Sequence, residues 1–296
     1  MRINTNVSSL IAQESNKNTS NSLSSSLEKL STGFRINKAS DDASGLAIAD
    51  KLRTQANGLN QAVSNGNSAV SLTQIADKAM AEQSNILDVI KQKLLQASTA
   101  TTSLDGAESI TKDVKKLLDQ LDNIGQTTSY NGQLLLQLSA GGKGGTSTLT
   151  FQMGTLSTDT VDLDAGIAAN ASGMGMTTVQ GATSATAGAF GVSVSTGTAG
   201  SAQGAARALL AAVDSSLTTL NGWRADVGST QNQLESGIRN IMTQITNTKA
   251  AESVIRDVDY AQESANFNRQ NIIAQAGTYA MSQANATAQN VLRLLQ

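Results

Sequence analysis

The stretch "LRTQANGLNQAVSNGNSAV", residues 52–70, decides the fold of this chain. Apolar or small residues recur in it at alternating intervals of four and three, at Leu52, Ala56, Leu59, Val63, Gly66 and Val70. That spacing is the pattern of a narrow coiled-coil seam. The periodicity continues to about Leu95, which predicts a helix of about 50 residues, or ~75 Å at 1.5 Å per residue.

The carboxyl-terminal half carries a second long stripe with the same spacing. Its apolar positions are Leu210, Val213, Leu217, Leu220, Val227, Leu234, Ile238, Ile241 and Ile245, with Arg224 and Gln231 interrupting the seam. Proline is absent from all 296 residues, which favours long uninterrupted helices. The two stripes together predict a mainly α fold, in which long antiparallel helices form a coiled-coil-like rod.

Shorter stripes occupy the two ends of the chain. At the amino end the apolar positions are Ile3, Val7 and Leu10, then, after a polar gap, Leu23, Leu27, Leu30 and Phe34. At the carboxyl end the small and apolar positions are Ile273, Gly277, Ala280, Ala284, Thr287, Val291 and Leu294. The order of segments is palindromic, and its simplest folding pairs the two ends as a second, thinner helical hairpin.

The final residues, "NVLRLLQ" (290–296), place aliphatic side chains where chains are usually polar and frayed. These side chains belong to Val291, Leu292, Leu294 and Leu295. The amino-terminal stripe offers them few large partners, and isolated helices are marginal in water. We therefore expect other copies of the chain to bury this end.

Capping signals mark where the helices begin and end. We expect Ser40 to cap the first long helix, followed by Asp41 and Asp42, which suit the positive end of its dipole. Acid–base chemistry is a poorer interpretation of this acidic pair, because adjacent helical residues point in different directions. Further along, Asp105 and Glu108 have capping-box spacing.

Gly125 stands where a C-terminal glycine cap would end the helix that follows Asp105. The sequence "SYNG", residues 129–132, then predicts a turn.

The composition changes to Gly, Ala, Ser and Thr between about 139 and 205. Two alternating runs, Leu149–Phe151–Met153 and Val161–Leu163, predict a β-hairpin around Gly154. A further short strand is indicated by Phe190, Val192 and Val194. The rest has too little apolar content for a separate core, so we expect 139–204 to be exposed on the surface. Its Ser and Thr residues fit a glycosylated surface and a flexible one equally well.

Composition excludes several classes of function. Aromatic residues make up 3% of the chain, so any core is aliphatic. Cys and His are absent, which removes thiol nucleophiles, imidazole bases and the usual zinc sites. The formal charge of −2 gives no basic surplus for nucleic acid. No apolar run is long enough to span a membrane, and the start lacks a signal-peptide core. We expect no enzymatic activity, no cofactor and no metal.

Long blocks at both ends resemble bacterial flagellin. The blocks are "RINTNVSSL" (2–10), "LEKLSTGFRINKASDDASGLAIADKLR" (27–53), "QTTSYNGQLLL" (126–136), "ITNTKAAESVIRDVDYAQESANF" (245–267) and "IIAQAGTYAMSQANATAQNVLRLLQ" (272–296). Together the similarity covers roughly residues 1–138 and 205–296. Long colinear blocks are far more specific than a short motif.

The resemblance implies a subunit that polymerises into the flagellar filament for swimming. It implies an inner-tube domain from 1–40 and 258–296, and an outer rod from 41–138 and 205–257, with 139–204 between them. The candidate interface residues are Ile3, Val7, Leu10, Leu23, Leu27, Leu30, Phe34, Ile273, Ala280, Ala284, Val291, Leu292, Leu294 and Leu295. The alternative is a hook–filament junction protein with flagellin-like ends.

Partners and location are also implied by the resemblance. The chain would leave the cell through the flagellar type III export apparatus, after binding a flagellin chaperone, and would lie in the extracellular filament. It would add to other copies of itself beneath a cap protein, on a base of junction proteins. No nucleic acid and no membrane insertion are expected.

One stretch departs from the flagellins that a vertebrate Toll-like receptor detects. Those carry a sequence like "QRVRELAVQ", whereas residues 88–96 here read "DVIKQKLLQ". Val89 stands in place of an arginine, and Lys93 in place of a leucine. The candidate residues of this receptor-like stretch are Asp88, Val89, Lys91, Lys93 and Leu94. We expect weak or no receptor activation, unless Val89 merely faces the core of the rod.

Overall fold

The computed structural model describes residues 6–99, 101–136, 149–163, 167–171, 173–174, 176 and 199–294. Five helices account for most of this described chain: α1 (Val7–Thr32), α2 (Ala43–Ala97), α3 (Leu104–Thr127), α4 (Ala199–Arg256) and α5 (Tyr260–Leu294). Two antiparallel strand pairs join β1 (Ser129–Tyr130) to β2 (Gln133–Leu134), and β3 (Leu149–Gln152) to β4 (Thr160–Leu163). The predicted mainly α class, with long helices and a small β region, is confirmed.

The long helices have the lengths that their stripes predict, 55 residues for α2 and 58 for α4. The chain separates into two compact units, Met1–Asn57 with Gln244–Gln296, and Gly58–Thr243. Each long helix contributes to both units. The division into inner-tube, rod and middle segments is a different partition, and it stays a prediction.

In the second unit, α2 and α4 run antiparallel. Lys91 Nζ lies 2.6 Å from Asp214 Oδ1, and Arg224 Nε donates to Asp77 Oδ1 at 2.9 Å. Residue numbers therefore rise along one helix as they fall along the other. The Arg224 side chain that interrupts the stripe is paired across the seam.

The third helix completes an antiparallel bundle. Lys93 of α2 lies 3.1 Å from Asp113 of α3, and Gln83 Nε2 of α2 donates to Leu121 O of α3 at 3.2 Å. The core between the helices is aliphatic, as the shortage of aromatic residues predicts. Its largest fully buried helical side chains are Met80, Leu87, Ile90, Leu94, Leu118 and Leu121.

A strap of non-helical chain closes this bundle. The bundle strap consists of residues 167–171, 173–174 and 176, and it buries Ile167, Ala169, Ala171, Met174 and Met176. Its backbone is bound on both sides: Ala169 N donates to Leu136 O at 2.9 Å, and Ala169 O accepts from Gln83 Nε2 at 2.7 Å. The expectation that 139–204 lies on the surface is therefore wrong for the strap, which packs into the core.

Both predicted reversals of the chain between α3 and the strap are present. Asn131 and Gly132 have φ values of +50° and +81° in the two-residue turn that joins β1 to β2. This is the backbone pattern of a tight hairpin turn, and Asn-Gly favours it. In the second hairpin Phe151 pairs with Val161, as the alternating runs predict. The strand expected at Phe190–Val194 lies outside the described residues.

The capping residues differ from those expected. Asp42 caps α2, because its Oδ1 accepts from the amides of Ser44 at 3.0 Å and Gly45 at 2.9 Å. Ser40 lies within the preceding turn, so its predicted role as cap is wrong. The capping interpretation of the acidic pair holds for Asp42.

α3 likewise begins and ends differently. Ser103 is its N-cap and accepts from Gly106 N at 3.2 Å, so Asp105 lies in the first turn and does not cap the helix. Gly125 is inside the helix, which continues to Thr127. A Cβ at Gly125 would lie 2.7 Å from Ala169 O, so this glycine admits the bundle strap and does not end α3.

Within the first unit, the connector between α1 and α2 is hydrogen-bonded to the connector between α4 and α5. Phe34 forms an isolated antiparallel bridge with Asp257, and Val258 N donates to Gly33 O at 3.0 Å. The Arg256 guanidinium lies 4.3 Å from the centre of the Phe34 ring, within the range of a cation–π contact. The two connectors therefore form one joint.

Candidate functional site

The terminal helices α1 and α5 pair antiparallel, as predicted. Asn6 Nδ2 donates to Ala284 O at 3.1 Å near one end, and Tyr260 OH donates to Leu30 O at 3.0 Å near the other. Midway, a Cβ at Gly277 would lie 3.5 Å from Asn16 Oδ1, an ordinary contact.

The faces that α1 and α5 turn toward each other are mostly polar or small. The less exposed positions of α1 include Ser9, Ala12, Asn16, Thr19, Leu23, Ser26 and Leu30, and those of α5 include Glu263, Asn266, Phe267, Gln270, Ala274, Gly277, Met281 and Ala284. Ser26 is the one buried residue of α1 among those described, and its hydroxyl donates to the Glu263 carboxylate. Hydrogen bonds and close approach of backbones hold this pair, with little aliphatic core.

Large apolar side chains of both helices lie outside this packed face. Val7, Leu10 and Ile11 of α1 are exposed, Ile11 by 62%. On α5, Ile272 is 68% exposed and Tyr279 74%. A single chain thus leaves the hydrophobic surface of its terminal helix pair exposed to solvent.

The position of the polar gap in α1 explains this arrangement. From Leu10 to Leu23 is an interval of 13 residues, which is about 220° around a helix of 3.6 residues per turn. Leu23 and Leu30 therefore face α5, whereas Val7 and Leu10 face away. The amino-terminal stripe, taken in the sequence as one seam, divides between two faces.

A groove of about 420 Å³ runs between α1 and α5. Ile11 and Ile273 contribute its apolar edges, and Ser15, Asn18 and other polar side chains line it. Gln270 also lines the groove, and its buried Oε1 has no hydrogen-bond partner among the described residues. An acceptor in this position suits a donor from another protein surface.

The candidate interface residues fall into three groups. Val7, Leu10, Leu27, Ile273 and Ala280 are exposed. Leu23, Leu30, Phe34 and Ala284 are half-buried within the chain. Ile3 and Leu295, and the side chains of Val291, Leu292 and Leu294, lie outside what the structure describes. The predicted stripes do not include Ile11, Ile272 and Tyr279, whose signal in the sequence is a large apolar side chain beside a stripe.

The receptor-like stretch lies on α2 within the bundle. Val89 is 40% exposed, so the interpretation that it faces the core is wrong. Asp88 is also exposed, whereas Leu94 is fully buried and cannot touch a partner of the intact bundle. Lys91 and Lys93 are half-exposed, and each is bound to an aspartate of a neighbouring helix.

The described residues contain no group of three or more potential metal ligands. None of the described helices combines the length and apolarity that a bilayer span requires.

Both ends of the chain match known sequence families. Residues 3–140 match the bacterial flagellin N-terminal helical region, and residues 210–295 match the bacterial flagellin C-terminal helical region. The chain belongs to the bacterial flagellin family. These flagellin regions contain all of α1, α2, α3 and α5, and most of α4.

Named flagellins align along the whole chain. It is 34% identical over 308 residues to the flagellin of Bacillus subtilis, with 100% of both chains covered. It is also 34% identical over 300 residues to the flagellar filament 33 kDa core protein of Treponema phagedenis, again with 100% of both covered. Flagellin B of Helicobacter pylori is 29% identical over 511 residues, covering 100% of this chain and 99% of that one.

These relatives are filament proteins, and the chain is accordingly a structural subunit of a flagellar filament. Their names favour the filament over the hook–filament junction. Flagellin homologues polymerise with copies of themselves, and the filament they form is extracellular.

Proposed function

We propose that the outward faces of α1 and α5 are the surfaces through which this flagellin polymerises. The observation that carries the proposal is the inversion of the terminal pair, with mostly polar and small residues inside and Ile11, Ile272 and Tyr279 outside. Burying each aliphatic side chain contributes roughly 1.5–3 kcal/mol. Summed over two helices and many subunits, this burial favours the polymer strongly.

The groove adds specificity to this aliphatic surface. Gln270 Oε1 would accept a hydrogen bond from a neighbouring subunit, because a buried acceptor without a partner costs about 1–3 kcal/mol. Ile11 and Ile273, at the edges of the groove, would be covered in the same step. A neighbour that fills the groove therefore gains both apolar burial and a polar contact.

The test removes apolar area from the outward faces without adding charge. The variant Ile11→Asn/Ile272→Asn should stay monomeric under conditions in which the unchanged protein forms filaments. A matched control, Gln13→Ser/Gln283→Ser, alters two exposed polar residues of the same helices and should polymerise normally. Electron microscopy and sedimentation measure the polymer, and the melting temperature of the bundle checks folding. Filaments of normal length from the isoleucine variant would overturn the proposal.

We expect the carboxyl tip to belong to the same polymerisation surface. We expect deletion of 290–296 to leave a folded monomer that does not polymerise, because Val291, Leu292, Leu294 and Leu295 would be buried between subunits. We further expect hydrogen exchange in 1–38 and 262–296 to be fast in the monomer and slow in the filament, because the terminal stripes find too few partners within one chain. Equal protection in both states would contradict this expectation.

The finer assignments follow the resemblance to flagellins. We assign 1–40 and 258–296 to an inner tube, and 41–138 and 205–257 to an outer rod, in a filament that serves swimming. The same proposal includes export of the chain through the type III apparatus. It also includes binding to a flagellin chaperone before export, and contact with a cap protein and junction proteins in the filament. The absence of enzymatic activity stays a prediction from a sequence without Cys or His.

A further inference from the structure

The sequence contains four Asn-Gly pairs, and the fold treats them unequally. Asn57-Gly58 and Asn65-Gly66 lie inside α2, and Asn221-Gly222 lies inside α4. Asn131-Gly132 forms the turn between β1 and β2, and both of its residues are exposed. We propose that Asn131 is a self-modifying site, at which the chain converts an asparagine into aspartate and isoaspartate in water.

The reaction needs only the turn and water. The backbone nitrogen of Gly132 attacks Cγ of Asn131, the Cγ–Nδ2 bond breaks, and ammonia leaves with the amide proton, which closes a succinimide ring. Water then opens the ring at one of its two C–N bonds. Opening at Cγ gives aspartate, and opening at the main-chain carbonyl gives isoaspartate. Ammonia is lost, water is gained, and no oxidant or cofactor takes part.

Conformation decides which pair can react. The attacking nitrogen must approach Cγ, so the backbone between the two residues has to rotate out of its folded geometry. In a helix the glycine amide donates to the carbonyl four residues earlier, and rotation would break the helix in its interior. The helical pairs lie well inside helices of 55 and 58 residues. They can react only after an opening of the long helices.

The turn opens at far lower cost. β1 and β2 contain two residues each, and a two-stranded hairpin this short has little stability of its own. A Cβ built at Gly132 would meet nothing within 4 Å, so the surroundings of the attacking residue are open. The same holds for Gly222, which its helix protects. Local openings of exposed turns are the cheapest that a protein makes. Asn131-Gly132 is therefore the pair that can reach the reactive geometry.

Isoaspartate at this position would disturb the bundle. It places an extra carbon in the main chain of a two-residue turn, which cannot then keep the pairing of Ser129 with Leu134. The next residues, Leu135 and Leu136, are buried, and Leu136 O holds the bundle strap through Ala169 N. Aspartate would be tolerated, since it adopts the same left-handed backbone as asparagine.

The experiment uses the folded full-length chain in mildly alkaline water enriched in heavy oxygen. Each conversion fixes one oxygen from water, so mass spectrometry of peptides reports all four pairs in one sample. We expect label at Asn131 to accumulate at least about tenfold faster than at any helical pair. In concentrated urea the four pairs should react at similar rates, which shows that the fold creates the difference.

Two further measurements complete the test. Asn131→Asp should strongly slow labelling at this turn, because a carboxylate closes the succinimide far less readily than an amide, and should leave the other three pairs unchanged. Enzymatic methylation of isoaspartate, followed by peptide mapping, should locate that product at position 131. Labelling at Asn131 that is no faster than at the helical pairs, including no labelling at any of the four, would overturn the proposal.

Discussion

The bundle of the second unit and the α1–α5 pair of the first unit bury opposite kinds of residue. In the bundle, leucine, isoleucine and methionine are inside, and charged residues such as Lys91 and Asp214 pair on the outside. In the terminal pair the inside is mostly serine, asparagine and small residues, with a few large apolar ones such as Leu23 and Phe267, and the isoleucines are outside. The bundle satisfies its hydrophobic surface within one chain, and the terminal pair leaves its own for a neighbour.

The largest expected effect comes from the same substitution at two isoleucines, one in each region. Ile238→Asp puts a charge into the seam of α2 and α4, where Ile238 is 8% exposed. An uncompensated buried charge costs about 3–5 kcal/mol, so the melting temperature of the bundle should fall sharply. Ile272→Asp, at a position that is 68% exposed, should leave the monomer's melting temperature unchanged and prevent polymerisation. If both variants lost the same stability, Ile272 would be buried within the monomer as Ile238 is, and the contrast between the two regions would be wrong.

A second, smaller effect separates two helical glycines of the bundle. Gly125→Ala would bring a methyl group to 2.7 Å from Ala169 O, and overpacking of this kind costs about 1–3 kcal/mol. Gly222→Ala is the matched control, because its Cβ would meet nothing within 4 Å. Alanine should there stabilise α4 by up to about 1 kcal/mol. Denaturant unfolding would distinguish the two, and a stabilising Gly125→Ala would show that the strap is not packed on α3.

The sequence predicted the parts of the fold that depend on periodicity, and missed those that depend on close approach. Leu234 and Ile238 lie on a regular stripe and are buried as expected. Nothing in the glycine-rich middle segment signalled that Ala169 and Met176 would be buried, because alanine and methionine there follow no period. Gly125 looked like a cap, since the strap that it admits is remote in sequence.

The candidate site, too, was predicted only in part from the sequence. The apolar residues at both ends were evident, but their faces depended on the register between α1 and α5. That register is fixed by polar contacts, such as Ser26 with Glu263, which no hydrophobic pattern encodes. Ile11 and Ile272 became visible as surface residues only once this register was known.

The next effect concerns the connector that precedes α2 and depends on pH. Hydrogen bonds from the backbone amides of Lys38 and Asn37 hold the pKa of Asp41 below its ordinary value. A depressed pKa means that Asp41 stabilises the folded state above the pKa of the unfolded chain, about 4. That contribution is lost as pH falls through the lower folded value. Asp41→Ala should therefore speed hydrogen exchange of the Asn37 and Lys38 amides near neutral pH.

The same variant supplies its own control at acid pH. Below the folded pKa of Asp41, the variant and the unchanged protein should exchange at the same rate. A difference that persisted in acid would assign the effect to lost packing and not to the carboxylate.

The smallest expected effect on the molecule itself is that of Val89→Arg. Val89 is exposed on the outside of the bundle, so the change should alter stability by less than about 0.5 kcal/mol and leave polymerisation intact. The variant tests recognition by the vertebrate flagellin receptor, since a guanidinium offers a planar, forked donor that valine lacks. We expect the unchanged monomer to activate the vertebrate flagellin receptor weakly or not at all in reporter cells.

The rescue sharpens this test of the bundle's outer surface. Val89→Arg combined with Lys93→Leu should recover part of the response, measured beside a receptor-activating flagellin at equal concentration. Equal potency of the unchanged protein would refute the expectation. A failed rescue would move the explanation to other exposed positions of the bundle.

The pairing of each end with the other also sets the order of folding events. Asn6 bonds to a residue 278 positions away, Tyr260 to one 230 away, and Arg224 to one 147 away. Contacts between residues so distant in sequence form slowly, because a long loop must close before any of them contributes. A chain delivered from its amino terminus would hold α1 without a partner until nearly every later residue had emerged. We expect the folding time of this subunit to be governed by the arrival of its carboxyl-terminal helices.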